Sequence, residues 1–119
     1  SSTCRVYSAR LKRKHPISIL MLTRVVKLHF AEAHLEAFLA HFETVKWQVA
    51  QFPGCRGMQL LQDQNDPCLV FTYSIWDSEQ DLNNYRDSAL FAAIWPQIIV
   101  WFYQKAEAWS LNQHFSAFI

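Results

Sequence analysis

The side chains best suited to chemistry in this 119-residue chain are five histidines, three cysteines and a lysine in an unusual place. His34-Leu35-Glu36 spells the H-x-E of a non-haem iron site, but residues two apart on a helix point in different directions, so shared chelation is strained. His34 and His41 lie seven apart and share one edge of the same helix, flanking its apolar stripe rather than centring on it. There is no His pair at i,i+4 and no C-x-x-C, so a metal site is not expected. Cys55 follows a Pro53-Gly54 turn with no His or basic helix end placed to activate it, which leaves a thiolate nucleophile unsupported. His29 is a candidate general base, because imidazole is the side chain that exchanges a proton near neutral pH. On a helical wheel Lys46 falls inside the stripe of Leu35, Leu39, Phe42 and Val49. It either runs its stem to the helix flank or places a cation where it would lower a phenol's pKa. Two glycines in one segment cannot form a Gly-rich phosphate loop, which excludes nucleotide cofactors of the familiar kinds.

Composition bounds the rest. The chain is 51% hydrophobic and 18% charged, which is globular, and its length allows one domain. No run of about eighteen apolar residues is available to span a membrane. Residues 1–20 hold Arg5, Arg10, Lys12, Arg13 and Lys14 and no acid, whereas residues 21–119 hold six Lys/Arg against ten Asp/Glu. The acidic body argues against nucleic acid as a partner. A basic head suits an RNA-binding arm or a transit peptide. The reading preferred here puts the start of the domain at Met21, with 1–20 a basic extension upstream of the true start or not native to it. An odd cysteine count, in a chain large enough to need no staples, favours a reducing compartment; the expected location is cytoplasmic.

The elements that must position these residues follow from periodicity. Residues 21–30 alternate and read as a strand. Residues 33–52 read as an amphipathic helix with Leu35, Phe38, Leu39, Phe42, Val45, Val49 and Phe52 on one stripe, stopped by Pro53-Gly54. Residues 56–63 and 68–76 form strands joined by the polar turn Gln64-Asn65-Asp66-Pro67, an antiparallel hairpin. Ser78 and Asp81 are spaced as a capping box for a short helix, 79–87. Residues 89–103 continue helical, with a kink or break expected at Pro96. Residues 104–112 suggest a last strand.

The order is βαββαβ, the α+β ferredoxin-like arrangement: a four-stranded antiparallel sheet with helices on one face. The other parity of the strands still holds Val25, Leu61, Val70 and Trp109, so the second sheet face needs a cover. A second copy of the chain, sheet against sheet, is the expected partner.

The strand opening at Met21, Phe52-Pro53-Gly54-Cys55, Asp66-Pro67, Trp76, Ser78, then Leu82, Tyr85, Ser88 and Phe91 together resemble the antibiotic biosynthesis monooxygenase family, a group of dimeric α+β barrels. The resemblance covers residues 21–112 and is specific for fold more than for chemistry. It implies a homodimer with a pocket between helices and sheet in each subunit. It also implies a cofactor-independent monooxygenase acting on a small phenolic or quinol-type aromatic. On that reading Tyr85 and Trp95 roof the pocket, Tyr85 orienting a phenol and Trp95 stacking on its ring. Phe42, Phe91 and Ile94 bind and shield the ligand, and His29 and Lys46 complete the candidate catalytic set. Haem-degrading relatives use an Asn in the first strand, a Trp and a His. Residues 21–30 contain no Asn, and the other two positions fall at Tyr85 and Trp95, so haem is disfavoured. The rivals are a non-enzymatic ligand-binding or sensor dimer, a haem-binding protein with His29, His34 or His41 as ligand, and an RNA-recognition module, which the acidic body opposes.

Overall fold

Alternation makes β1 (Leu22–Phe30) a strand whose Leu22, Leu28 and Phe30 are buried on one side. The computed structural model describes residues 21–117; the basic extension 1–20 expected from the sequence lies outside them. One turn of 3₁₀ helix (Glu32–His34) leads into α1 (Leu35–Ala50), two residues later than the sequence predicts. Phe38 and Val49 are buried on its inner face, and Leu35, Leu39, Phe42 and Val45 pack against the same core. Gly54 then takes φ +89°, which only glycine adopts freely, and its carbonyl accepts the Asp77 N–H at 2.8 Å.

β2 (Cys55–Gln62) and β3 (Leu69–Trp76) form the hairpin. Its turn is held by the Asp63 carboxylate, which accepts the N–H groups of Asn65 and Asp66 at 3.0 and 2.9 Å. α2 (Glu79–Arg86) opens on the expected capping box. Ser78 Oγ accepts the Asp81 N–H at 3.2 Å and donates to the Asp81 carboxylate at 3.0 Å. Ser88 Oγ caps α3 (Ala89–Ile99) by accepting the Phe91 N–H at 3.2 Å.

The break expected at Pro96 does not occur; α3 runs through it as one helix. Ala92, Ala93, Pro96 and Gln97 are all exposed, so the turn in which the proline leaves a carbonyl unpaired lies on the solvent side of the helix. The helix stops at Ile99 rather than 103, and β4 (Phe102–Leu111) starts two residues early.

The sheet order is β2-β3-β1-β4, every neighbour antiparallel, so the four-stranded ferredoxin-like fold read from the sequence is the one observed. The three helices cover one face. Leu28, Phe30, Phe38, Val49, Val70, Ile94 and Ile98 make the main core, and Leu22, Trp76 and Leu82 a second cluster beside it. Val70 is thus a correction to the sequence reading: it stands opposite Leu28, fully buried on the helix side. The register places Leu61, Phe71, Lys27 and Glu107 in one row of the opposite face and Gln59, Tyr73, Val25 and Trp109 in the next.

Candidate functional site

Between the helices and the sheet lies a cavity of about 560 Å³. Its floor comes from the helix-side parity of the strands: Arg24, Val26 and Leu28 of β1, Thr72 and Ser74 of β3, Ala106 and Ala108 of β4. Small residues on β4 leave the space that larger ones would fill. Phe42 and Val45 of α1, Tyr85 and Arg86 of α2, and Phe91, Ile94 and Trp95 of α3 form the other walls.

The aromatic side chains are in contact one after another. Tyr85 stacks on Trp76 (centroids 5.3 Å, 28°) and meets Phe91 edge-on at 5.2 Å. Phe91 stacks on Trp95 at 5.7 Å and 12°, and Trp95 meets Phe102 edge-on at 5.6 Å. Such arrangements are the favoured aromatic geometries, and they hold each ring in place against its neighbours. Burial, and secondarily the Cys55 thiol, push the Tyr85 hydroxyl up to about 12. At neutral pH it is therefore a hydrogen-bond donor and not a base.

Polar groups on the wall are few. Arg24 donates from Nη1 to Ser110 Oγ at 2.8 Å. Burial, then the neighbouring Arg86 charge, lowers its pKa. Ser74, buried on β3, accepts the Trp76 Nε1–H at 3.0 Å. His41 meets Trp101 edge-on at 6.0 Å, and its Nε2 is buried without a hydrogen-bond partner among the described residues. A buried polar nitrogen without a partner is uncommon, which marks His41 out among the side chains that line the cavity.

Of the side chains singled out from the sequence, Tyr85, Trp95, Phe42, Phe91 and Ile94 line this cavity together. His29 and Lys46 do not. His29 shares the parity of Val25 and Lys27 and stands on the opposite face of the sheet. Its Nδ1 lies 3.1 Å from Gln104 Oε1, its Nε2 3.6 Å from the Asp66 carboxylate, and its ring against Tyr103. Lys46 runs to the helix flank and pairs with Glu43 at 2.8 Å. His34 is exposed, so it does not join His41. No three His, Cys, Asp or Glu side chains cluster to hold a metal among the described residues. The sequence reading gave no role to Arg86 or Ser74 and left Arg24 undecided. The parity of Val26 and Leu28 carried the signal for Arg24.

The fold and cavity define a ferredoxin-like α+β domain with an aromatic-lined cleft between sheet and helices. The antibiotic biosynthesis monooxygenase family model matches residues 21–96, and the chain belongs to that family. No curated protein sequence matches the chain. Among solved structures it is similar to a conserved protein from Methanosarcina mazei (TM-score 0.76, 17% identity, covering 83% of this chain and 98% of that one). It is also similar to a protein described as antibiotic biosynthesis monooxygenase (TM-score 0.73, 17% identity, 77% and 97%). A third is Rv0793 from Mycobacterium tuberculosis (TM-score 0.75, 13% identity, 82% and 98%). At these identities the likeness is one of fold. Among the described residues no helix is long and apolar enough to cross a membrane.

Proposed function

We propose that the chain is a cofactor-independent monooxygenase for a small phenolic or quinol-type aromatic, working as a cytoplasmic homodimer. The observation that carries this reading is the cavity itself. Its walls offer aromatic rings on which a flat substrate stacks, with one protonated phenol, Tyr85, and one unpartnered imidazole nitrogen, on His41. His41 is the base in this proposal because it lines the cavity and His29 and Lys46 do not; a side-chain movement uncovers its Nε2 to the substrate. Nε2 takes the substrate's phenolic proton, and Tyr85 donates to an oxygen of the bound anion.

An electron-rich phenolate passes one electron to O₂, and the resulting radical and superoxide combine at a ring carbon. The hydroperoxide then loses water. In sum the phenolic O–H, one ring C–H and O₂ become two C=O groups and H₂O: the substrate supplies four electrons and both hydrogens of the water, one oxygen atom enters the product and the other leaves as water. The walls of Phe42, Phe91, Ile94 and Trp95 keep solvent from the radical pair and the hydroperoxide.

The test is oxygen uptake by metal-stripped protein against hydroquinones, naphthoquinols and anthrones, with Tyr85→Phe, Trp95→Ala and His41→Gln beside wild type. Uptake above autoxidation, reduced at least about tenfold in His41→Gln, supports the reading; proton transfer by a placed side chain is worth that or more. No uptake by a folded protein overturns it and leaves a non-enzymatic ligand-binding dimer. His41 Nε2 also has the chemistry of a haem ligand. A Soret shift with haemin, lost in His41→Gln, would favour that second reading.

A further inference from the structure

Two arginines line the cavity, Arg24 half-buried and Arg86 exposed at its rim, and neither is ion-paired among the described residues. Arg24 stands on the helix side of β1, in register with Ser74 on β3 and Ser110 on β4, so its guanidinium lies in a row between two hydroxyl-bearing residues. Arg86 comes from the last turn of α2. Ser110 accepts from one of the five guanidinium N–H groups of Arg24. The nearby acids do not answer the charge. Glu107 and Asp87 also line the cavity, but Glu107 pairs with Lys27 at 3.5 Å and Asp87, exposed just past α2, forms no ion pair with either arginine. Partly burying a guanidinium beside a second one costs free energy that a bound anion would offset. Planar guanidinium forks match the two oxygens of a carboxylate.

We propose that the Arg24–Arg86 end of the cavity is an anion subsite, and that the aromatic compound bound here carries a carboxylate. The carboxylate lies against Arg24 and Arg86, and the ring extends between Tyr85, Phe91 and Trp95. This rests on the reading of the cavity as an aromatic-ligand site but not on any oxidation there.

The test is calorimetric titration of the full chain under argon with 6-hydroxy-2-naphthoate and 2-naphthol, which differ by the carboxylate alone. Wild type is expected to bind the naphthoate at least about tenfold more tightly, the scale of a charge-assisted hydrogen-bond pair. Arg24→Gln removes that preference, Arg24→Lys keeps part of it, and Arg86→Gln weakens it independently should Arg24→Gln not fold. Lys27→Gln, the same charge change on the opposite sheet face, keeps the preference in full. Equal affinities in wild type, a preference that survives in both Arg24→Gln and Arg86→Gln, an equal loss in Lys27→Gln, or no binding of either naphthol each overturns the proposal. If 2-naphthol binds and the naphthoate binds no better, the aromatic-site reading stands alone. If the preference is found and the separate oxygen-uptake assay in air shows no consumption, the anion subsite stands and the monooxygenase reading falls.

Discussion

The ring of Tyr85 stacks on the indole of Trp76 at 5.3 Å and 28°, while its other neighbours, Phe52 and Phe91, meet it edge-on. Three aromatic contacts enclose the phenol, which is why its pKa rises to about 12. The folded state then holds the Tyr85 proton more tightly than the unfolded chain. That contribution is complete below pH 10 and is lost as the pH rises from 10 through about 12. Between pH 8 and 11.5 wild type is expected to lose about 2 kcal/mol more unfolding free energy than Tyr85→Phe. Urea unfolding at pH 8, 10 and 11.5 measures it, and parallel losses in the two proteins would count against the buried phenol.

Gly54 faces a second constraint besides its φ of +89°. A Cβ at this position would collide with both Cβ and Cγ of Asp81, the residue that closes the α2 capping box. Gly54→Ala therefore strains the backbone and pushes on the cap at once. Gly57 also has positive φ, at 155°, but no atom lies near its missing Cβ. Gly54→Ala is expected to cost about 3 kcal/mol and Gly57→Ala about 1 kcal/mol. Chemical denaturation of the pair gives the comparison, and equal costs would show that the Asp81 contact is relieved without penalty.

The elements were legible because each has its own period and punctuation. The alternation of Leu22–Phe30, the stripe from Leu35 to Val49 and the Ser78/Asp81 box are local facts about the chain, and tertiary packing agrees with them. The aromatic wall was legible in part through the family resemblance, since Tyr85 and Phe91 belong to the matching pattern, and Trp95 follows one helical turn after Phe91 on α3. The polar part of the site was not. Arg24 and Arg86 come from separate elements and become neighbours only when α2 folds over the sheet. His29 was legible as a residue on the face with Val25 and Lys27, and placing it near the cavity gave too little weight to strand parity. His41 sits at the edge of a helix stripe, where wheel geometry cannot say whether a neighbouring element such as Trp101 will close over it.

Pro96 is a case where local rules and the fold disagree. α3 runs through it, so one N–H is missing and the Ala92 carbonyl has no partner within the helix. The site is exposed, so an alanine there gains a hydrogen bond without changing the core. Pro96→Ala is expected to stabilise the protein by about 1–2 kcal/mol, the helix gain of about 3 kcal/mol being reduced by the freedom the unfolded chain recovers. A lower urea midpoint for Pro96→Ala would mean the ring packs against something that matters more than the missing bond.

The sheet face opposite the helices bears on the proposed homodimer. Leu61 and Trp109 remain 46% and 43% exposed at its two edges, with Phe71, Tyr73, Val25 and Ile75 between them in paired rows. A twofold partner would cover the whole face with a copy of itself, and the Lys27–Glu107 pair at its middle offers complementary charges to the opposing copy. A charge placed in that face must be buried unpaired in a dimer but stays hydrated in a monomer, so it selects against association. Wild type is expected to run as a dimer by light scattering at micromolar concentration, and Trp109→Asp as a folded monomer. Val100→Asp, whose parent side chain is 71% exposed in the turn after α3, is expected to leave the mass unchanged. A wild-type monomer, or a dimer indifferent to Trp109→Asp, would mean that this face is not where two copies meet.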